Sequence, residues 1–420
     1  MHAAEDLVLD ALAGATAARR AADGDQVDGV APRFVATPTT TAEAAAVMRI
    51  AAAHELTVVP RGAGTKLSWG HPPESVDLVI DTGRMNQLVE HRAGDLVAHV
   101  QAGLRVEALQ EHLAPARQRL AVDPVLPPAA GRGTVGGVIA TAASGPLRLS
   151  HGAVRDLLIG VTMVRADGAI AKAGGKVVKN VAGYDLGKLL TGSWGTLGLV
   201  TEAIFRLHPR PEQARWVVVP VTSTAAVHER VQRVVHSQVV PTALELDHPS
   251  GAPATVAVLI EGVPRGVEGR VNGVLDLLGD GAQVAGEAPP WWGRAPWEPG
   301  GVALRLTHEI AGLPRLLDAV DEAGRRHGLR VAVRGSAGVG VLHAAVTADA
   351  EPDAVSGFVG RLRDHSAAWS GDVVVLDAPS PIKACVDQWG PARGLSLMRR
   401  VKDQFDPLGR MAPGRFVGGL

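Results

Sequence analysis

The sequence predicts an α+β chain of two main domains, and three observations predict it. At 420 residues the chain is too long for one ordinary core. Between residues 34 and 113 short β-rich runs alternate with helical ones, and the chain up to residue 207 then turns mostly to sheet. Beyond residue 210 strands and helices alternate again, an order suited to helices on one face of an antiparallel sheet.

Taken in order, residues 1–20 read as an amphipathic helix. Thr40-Thr41-Ala42-Glu43 has the capping-box spacing and opens a helix through Ala53. Strands follow at 57–60, 77–81 and 96–101, then a helix at 106–113. The proline-rich run 120–128 cannot be a central strand, because proline removes ladder donors. Two short strands, 157–165 and 169–173, flank an Asp167-Gly168 hairpin turn, and 197–207 is a long β-rich run. Pro209, Pro211 and the valine-rich run at 216–221 mark a boundary near residue 210. Strands are expected beyond it at 255–261, 301–307, 330–334 and 341–346, with helices at 225–235, 313–327 and 352–365. Residues 279–299, with Trp291, Trp292 and Trp297 among prolines and glycines, read as an irregular excursion.

Composition excludes several classes. A net charge of −1 gives no electrostatic attraction to nucleic acid, and 3% aromatic residues supply no base-stacking surface. No apolar run approaches the roughly 18 residues of a membrane span, and the N-terminus does not read as a signal peptide, so a cytoplasmic location is expected. The single cysteine, Cys385, cannot form an internal disulfide or supply four thiolates, so any iron–sulfur cluster belongs to another chain. Cys385 itself reads as a small buried residue.

Three glycine-rich loops carry the functional signal: Pro60-Arg61-Gly62-Ala63-Gly64-Thr65, Gly131-Arg132-Gly133-Thr134-Val135-Gly136-Gly137, and Gly192-Ser193-Trp194-Gly195-Thr196-Leu197-Gly198. Residues without a Cβ let successive N–H groups approach phosphate oxygens, so the three together indicate a large anionic cofactor. Gly131, Gly133 and Gly136 have G-x-G-x-x-G spacing, but the strand a Rossmann site requires before them is missing.

These loops, in this order and spacing, resemble the FAD-binding domain of the vanillyl-alcohol oxidase and p-cresol methylhydroxylase superfamily over residues 28–210. Within it, Gly174-Gly175-Lys176-Val177-Val178-Lys179-Asn180-Val181-Ala182-Gly183-Tyr184-Asp185-Leu186 is similar to the FAD-binding subunits of bacterial glycolate oxidases, the smaller flavin-type subunits. Phe405-Asp406-Pro407 and Ala412-Pro413-Gly414-Arg415 are similar to the tail that packs back on their flavin domain. Larger paralogues usually carry Glu where this chain has Trp194. The resemblance implies a PCMH-type FAD-binding domain of two α/β subdomains plus a second α+β domain with an antiparallel sheet. The divisions become a helical extension at 1–27, the FAD-binding domain at 28–210, a cap-like domain at 211–400 and a tail at 401–420.

The resemblance further implies that Arg61, Gly62, Ala63, Gly64 and Thr65 hold the FAD diphosphate. Thr134, Gly136, Gly137, Ala140, Ser144 and Gly145 border the diphosphate and isoalloxazine, with Val200 near the adenine end. Covalent relatives have histidine where this chain has Thr65, so FAD is expected to be non-covalent. Substrate-oxidising relatives also carry an H-x-G-x-G-N-x-H stretch and a later S-G-E-H-G stretch. Here the first reads Ser336-Ala337-Gly338-Val339-Gly340-Val341-Leu342-His343 and the second is replaced around Asp377, so no metal site is expected. Arg334 and His343 have spacing that suits neighbouring sheet positions. The implied role is FAD-dependent oxidoreductase, the FAD-binding subunit of a glycolate (2-hydroxy acid) oxidase complex relaying electrons to an iron–sulfur subunit beside a larger flavin subunit. Association with the inner face of a membrane would come through those partners. The alternative is a stand-alone FAD-linked enzyme acting on lactate or glycolate, with His71, Tyr184 and His343 as candidate bases. Tyr184, with Asp185 and Lys188, otherwise reads as a structural segment near the flavin, and His151 has no assigned role.

Overall fold

A computed structural model describes residues 2–125, 133–176 and 184–420. Three sheets organise the chain. The first has the order Ala17–Arg20, Phe34–Thr37, Leu78–Asp81, Val58–Arg61; its first pair is antiparallel and the others parallel. The second is antiparallel, in the order Leu88–Arg92, Val97–Gln101, Leu199–Arg206, Leu158–Val164, Ile170–Gly174.

The helix Thr41–Ala53 covers the first sheet. Thr40 Oγ1 caps it by accepting from Glu43 N. The Glu43 carboxylate reaches Thr39 N and the hydroxyls of Thr39 and Thr16 instead of closing the capping box. Ala44, Ala45, Val47, Met48 and Ala51 form its buried face against Phe34, Val58, Leu78 and Ile80.

The third sheet has eight antiparallel strands, in the order Gln283–Ala285, Gln213–Val221, Ala254–Gly262, Ala243–His248, Val331–Ser336, Val341–Val346, Val302–Thr307, Val373–Asp377. Four helices, Thr224–Val235, Pro264–Leu278, Leu313–Arg326 and Pro352–His365, bury their apolar stripes on one face of it. In the third of these the stripe is Leu313, Leu316, Leu317, Val320 and Ala323, the spacing that keeps one helical face turned to a sheet. Each such leucine contributes about 1.5–3 kcal/mol through removal from water. Alternation along the strands sends Leu244, Leu246, Val333, Leu342, Ala344, Leu304 and Leu306 to the helices. Glu245, Asp247, Arg334, Ser336, His343 and Arg305 therefore take the opposite face.

Several expectations need correction. The N-terminal helix is His2–Ala15 and stops there; Ala17–Arg20 is an edge strand, because Arg19 pairs with Asp25 and Arg20 with Glu5 and Asp6 while the backbone joins Phe34–Thr37. The strand expected over 157–165 begins at Leu158, because Leu157 closes a short helix, Val154–Leu157, in which the Asp156 carboxylate accepts from Ala153 N. Cys385 is exposed, two residues after the short helix Ser380–Lys383. Residues 126–132 and 177–183, which include Gly131, Arg132 and most of the lysine-and-valine signature, lie outside the described residues. Among the described residues no helix is long and apolar enough to cross a membrane.

Candidate functional site

A cavity opens where the parallel strands of the first sheet end against the second sheet. Crevices at such strand ends are the usual ligand sites of open α/β sheets. Its walls bring together ten of the twelve expected cofactor residues: Arg61, Gly62, Ala63, Gly64, Thr65, Thr134, Gly136, Gly137, Ala140 and Val200. The third glycine loop contributes Ser193, Trp194, Gly195 and Gly198. Ser144 and Gly145 stand apart from this lining. Ser144 Oγ accepts from Arg148, and Gly145 lies against the carbonyl of Asp123, where a Cβ would collide.

The loops pack on one another. A Cβ on Gly62 would run into Thr134 Oγ1, one on Gly133 would stand 3.4 Å from Thr65 Oγ1, and one on Gly195 3.4 Å from Pro60. Thr134 Oγ1 accepts from Gly137 N, and Gly136 N donates to Ala102 O at 2.7 Å, so these two N–H groups are already used. By contrast, the N–H groups of Gly62, Ala63, Gly64 and Thr65 donate to no acceptor among the described residues. Trp194 has φ +58°, a left-handed conformation uncommon for a bulky residue and typical of strained functional loops. It is held there by Trp194 N donating to Ala140 O and Gly192 N to Ile139 O.

The three cations of the wall differ in their partners. Arg61 is neutralised by Asp25 and Asp81, each at 2.9 Å, so this residue offers the cavity mainly its backbone. Arg415 Nη2 donates to Leu67 O and Trp69 O, and burial pulls this guanidinium down to about 10, still charged at neutral pH. Lys66 forms no ion pair among the described residues.

Beyond the cavity, tryptophan rings lead to the helix-free face of the third sheet. Trp194 and Trp69 lie 6.3 Å apart, Trp69 and Trp297 6.1 Å, and Trp297 and His343 5.5 Å. On that face Asp247, Arg334, His343 and Arg305 are successive cross-strand neighbours. The Arg334–Asp247 pair, at 2.7 Å, is thus internal to the sheet. His343 Nδ1, Arg305 Nε and Glu245 Oε1 are buried without hydrogen-bond partners among the described residues.

Known proteins resemble this chain in sequence and fold. Residues 32–174 match the FAD binding domain, and residues 383–416 match the C-terminal domain of FAD linked oxidases. Glycolate oxidase subunit GlcD of Bacillus subtilis is 28% identical over 91% of this chain and 88% of that protein. The D-lactate dehydrogenase of Archaeoglobus fulgidus is 36% identical over 51% of this chain and 48% of that protein. The chain is an FAD-dependent oxidoreductase. The structure of p-cresol methylhydroxylase superimposes on this flavoprotein with a TM-score of 0.74 at 15% identity, covering 98% of this chain and 96% of that one, and establishes a common fold.

The other candidate residues of the flavoprotein are scattered. Tyr184 is 94% exposed, and Asp185 caps the short helix Leu186–Leu190 by accepting from Lys188 N. His71 lies 3.3 Å from Asp387. His151 stacks edge-on with His208 at 4.5 Å and its Nε2 accepts from Arg119 Nη2, while burial and the adjacent His208 hold it down at about 4. Sequence reasoning missed Lys66, Glu245 and Arg305, and named Arg415 only as part of the tail expected to pack back on the flavin domain. Lys66 directly follows the first loop and was legible as a cation there; Glu245 and Arg305 gave no signal, because their importance lies in cross-strand register.

Burial pushes Glu245 up to about 8, with the Ser336 hydroxyl opposing and the charge of Asp123 adding to the rise. The folded chain therefore keeps a proton that an unfolded glutamic acid releases near pH 4.3. This contribution to stability is full below that value and is lost as pH rises through 8. Glu245→Gln is expected to remove that slope and to be more stable than the parent at pH 9, read from urea midpoints at pH 6 and 9; parallel profiles would refute the assignment. His343 has the reverse sign. Burial and then Arg305 lower it to about 3, so its contribution is full above about 6.5 and declines as pH falls towards 3.

Proposed function

We propose that FAD lies non-covalently in the glycine-walled cavity and that this chain is the FAD-binding subunit of a glycolate (2-hydroxy acid) oxidase complex. Electrons leave it for an iron–sulfur partner subunit, with a larger flavin subunit alongside. The observation that carries the reading is the run of unsatisfied N–H groups at Gly62 to Thr65 facing a wall of residues too small to obstruct a cofactor. Four neutral donors in succession suit an anionic diphosphate. The end-to-end similarity to a glycolate oxidase subunit supports the assignment to such a complex. One exposed cysteine cannot ligate an iron–sulfur cluster by itself, which supports a separate cluster-bearing partner.

FAD supplies a two-electron acceptor; the chain supplies its surroundings. Thr134, Gly136, Gly137 and Ala140 give a surface of small side chains, Trp69 and Trp297 back the lining residue Trp194 in a buried cluster, and Arg61 holds the first loop rigid through Asp25 and Asp81.

A second reading, oxidation of a 2-hydroxy acid on this chain, is favoured by one arrangement. His343 is held neutral between Arg305 and Arg334, which combines a proton acceptor with a cation for a carboxylate. Anaerobic absorbance titration of the purified chain separates the two. The lead reading expects bound flavin that stays oxidised with glycolate or lactate and bleaches only once partner subunits are added. Bleaching by the acid alone selects the second reading, and His343→Ala should then abolish it.

A further inference from the structure

Lys66 lines the wall of the cofactor cavity and has no counter-charge among the described residues. It follows Thr65 at the end of the first loop, lines the cavity, and has its Nζ 3.9 Å from where a Cβ on Gly133 would stand. Among the described residues it has no carboxylate within ion-pair distance and no hydrogen bond. The other two cations of the wall are compensated, Arg61 by two carboxylates and Arg415 by two carbonyls with Asp28 and Asp377 nearby. Lys66 is half-buried by surface yet enclosed closely enough that burial draws it down to about 8, which leaves it mostly protonated at pH 7. A desolvated ammonium in this condition calls for an anion.

The position of Lys66 selects which anion. Its Nζ stands 5.4 Å from the centre of the Trp69 ring, a cation–π contact. Trp69 in turn neighbours Trp194, which lines the cavity, and Trp297, so Lys66 joins the first loop to the aromatic cluster that reaches the cavity through Trp194. Two electrons and one proton convert a neutral isoalloxazine into a monoanion, so a cation beside the ring favours the reduced state over the oxidised one.

We propose that Lys66 is the residue that stabilises the negative charge of the reduced flavin and thereby sets its potential. The proposal rests on the reading that FAD occupies this cavity. Its test compares the parent, Lys66→Met and Lys66→Arg, each stripped of flavin and titrated with FAD and with ADP. Midpoint potentials are then measured by dye equilibration. The expected result is a potential lowered in Lys66→Met by about 30 mV or more, equivalent to a tenfold loss of preference for the reduced flavin. Lys66→Arg should recover most of it, and ADP affinity should change less than twofold in either variant. Weaker ADP and FAD binding at an unchanged potential would overturn the proposal and assign Lys66 to the diphosphate. Unchanged potential and unchanged binding would overturn it too. Failure of the parent itself to take up FAD would instead show that the reading of the cavity is wrong, and the proposal would fall with it.

Discussion

Asp406→Ala should lower stability by about 3–5 kcal/mol, the usual cost of removing one partner from a buried ion pair. Asp406 is fully enclosed and accepts from Lys402 Nζ at 2.7 Å, Met411 N at 2.7 Å and Arg410 N at 3.0 Å. Lys402 spends its remaining donors on Thr196 O and Met411 O. Burial lowers this lysine and Asp406 pulls it back up, so deleting the carboxylate leaves an ammonium that is neither hydrated nor paired. The consequence reaches the cavity because the same tail extends the first sheet, with Val58 N donating to Arg410 O and Ala412 N to Val58 O, and ends in Arg415 on the cavity wall. Urea denaturation reads the stability and a flavin titration reads the cavity. The double variant Lys402→Met/Asp406→Ala should lose less than the two single losses combined, since each single change strands the other's charge. A loss below about 1 kcal/mol in Asp406→Ala would show that the tail is not clasped by this pair.

How far the sequence foretold these features depends on whether the signal is local. The helix Val106–Leu113, the helix Pro352–His365 and the strand Val341–Val346 follow from periodicity and caps, and they stand where the pattern puts them. The strands Ala243–His248 and Val373–Asp377 and the helix Pro264–Leu278 escaped notice. Ala243–His248 carries Glu245 and Asp247 on its polar face, so in sequence it lacks the continuous apolar run of its neighbours. Pro264–Leu278 contains three internal glycines, which lower its apparent propensity, yet Val267, Val271, Val274 and Leu278 bury a regular stripe that overrides them. The three glycine loops were legible because their conformational demands are local. Their convergence, with Gly62 against Thr134 and Gly195 against Pro60, depends on the order of strands in two sheets. Of the polar row from Asp247 to Arg305 the spacing foretold only that Arg334 and His343 are neighbours; Asp247 and Arg305 come from separated strands that only the register brings beside them.

Gly136→Val is expected to weaken FAD binding by at least about a hundredfold, close to 2.7 kcal/mol, while leaving the chain folded at a cost of about 1–3 kcal/mol. Gly136 is the second residue of the helix Val135–Thr141, and its N–H is committed to Ala102 O at 2.7 Å. A Cβ there would stand 2.9 Å from Ala102 Cβ and 3.1 Å from Ala102 O. Ala102 directly follows the strand Val97–Gln101, which is paired on both sides, and cannot rotate out of the way, so the helix must move outward. The side open to it is the cavity, whose wall this helix forms with Gly136, Gly137, Ala140 and Thr141. Gly64→Ala is the informative contrast. Gly64 also lines the cavity, but the nearest atom to its missing Cβ is Leu67 Cδ1 at 3.8 Å, and the penalty is the left-handed backbone at φ +75°, about 1 kcal/mol. Its affinity should stay within tenfold of the parent. Fluorescence titration of flavin-free protein measures both. If Gly136→Val binds FAD as the parent does, FAD does not lie against this helix. If Gly64→Ala suffers more, donation by the first loop outweighs the shape of the second.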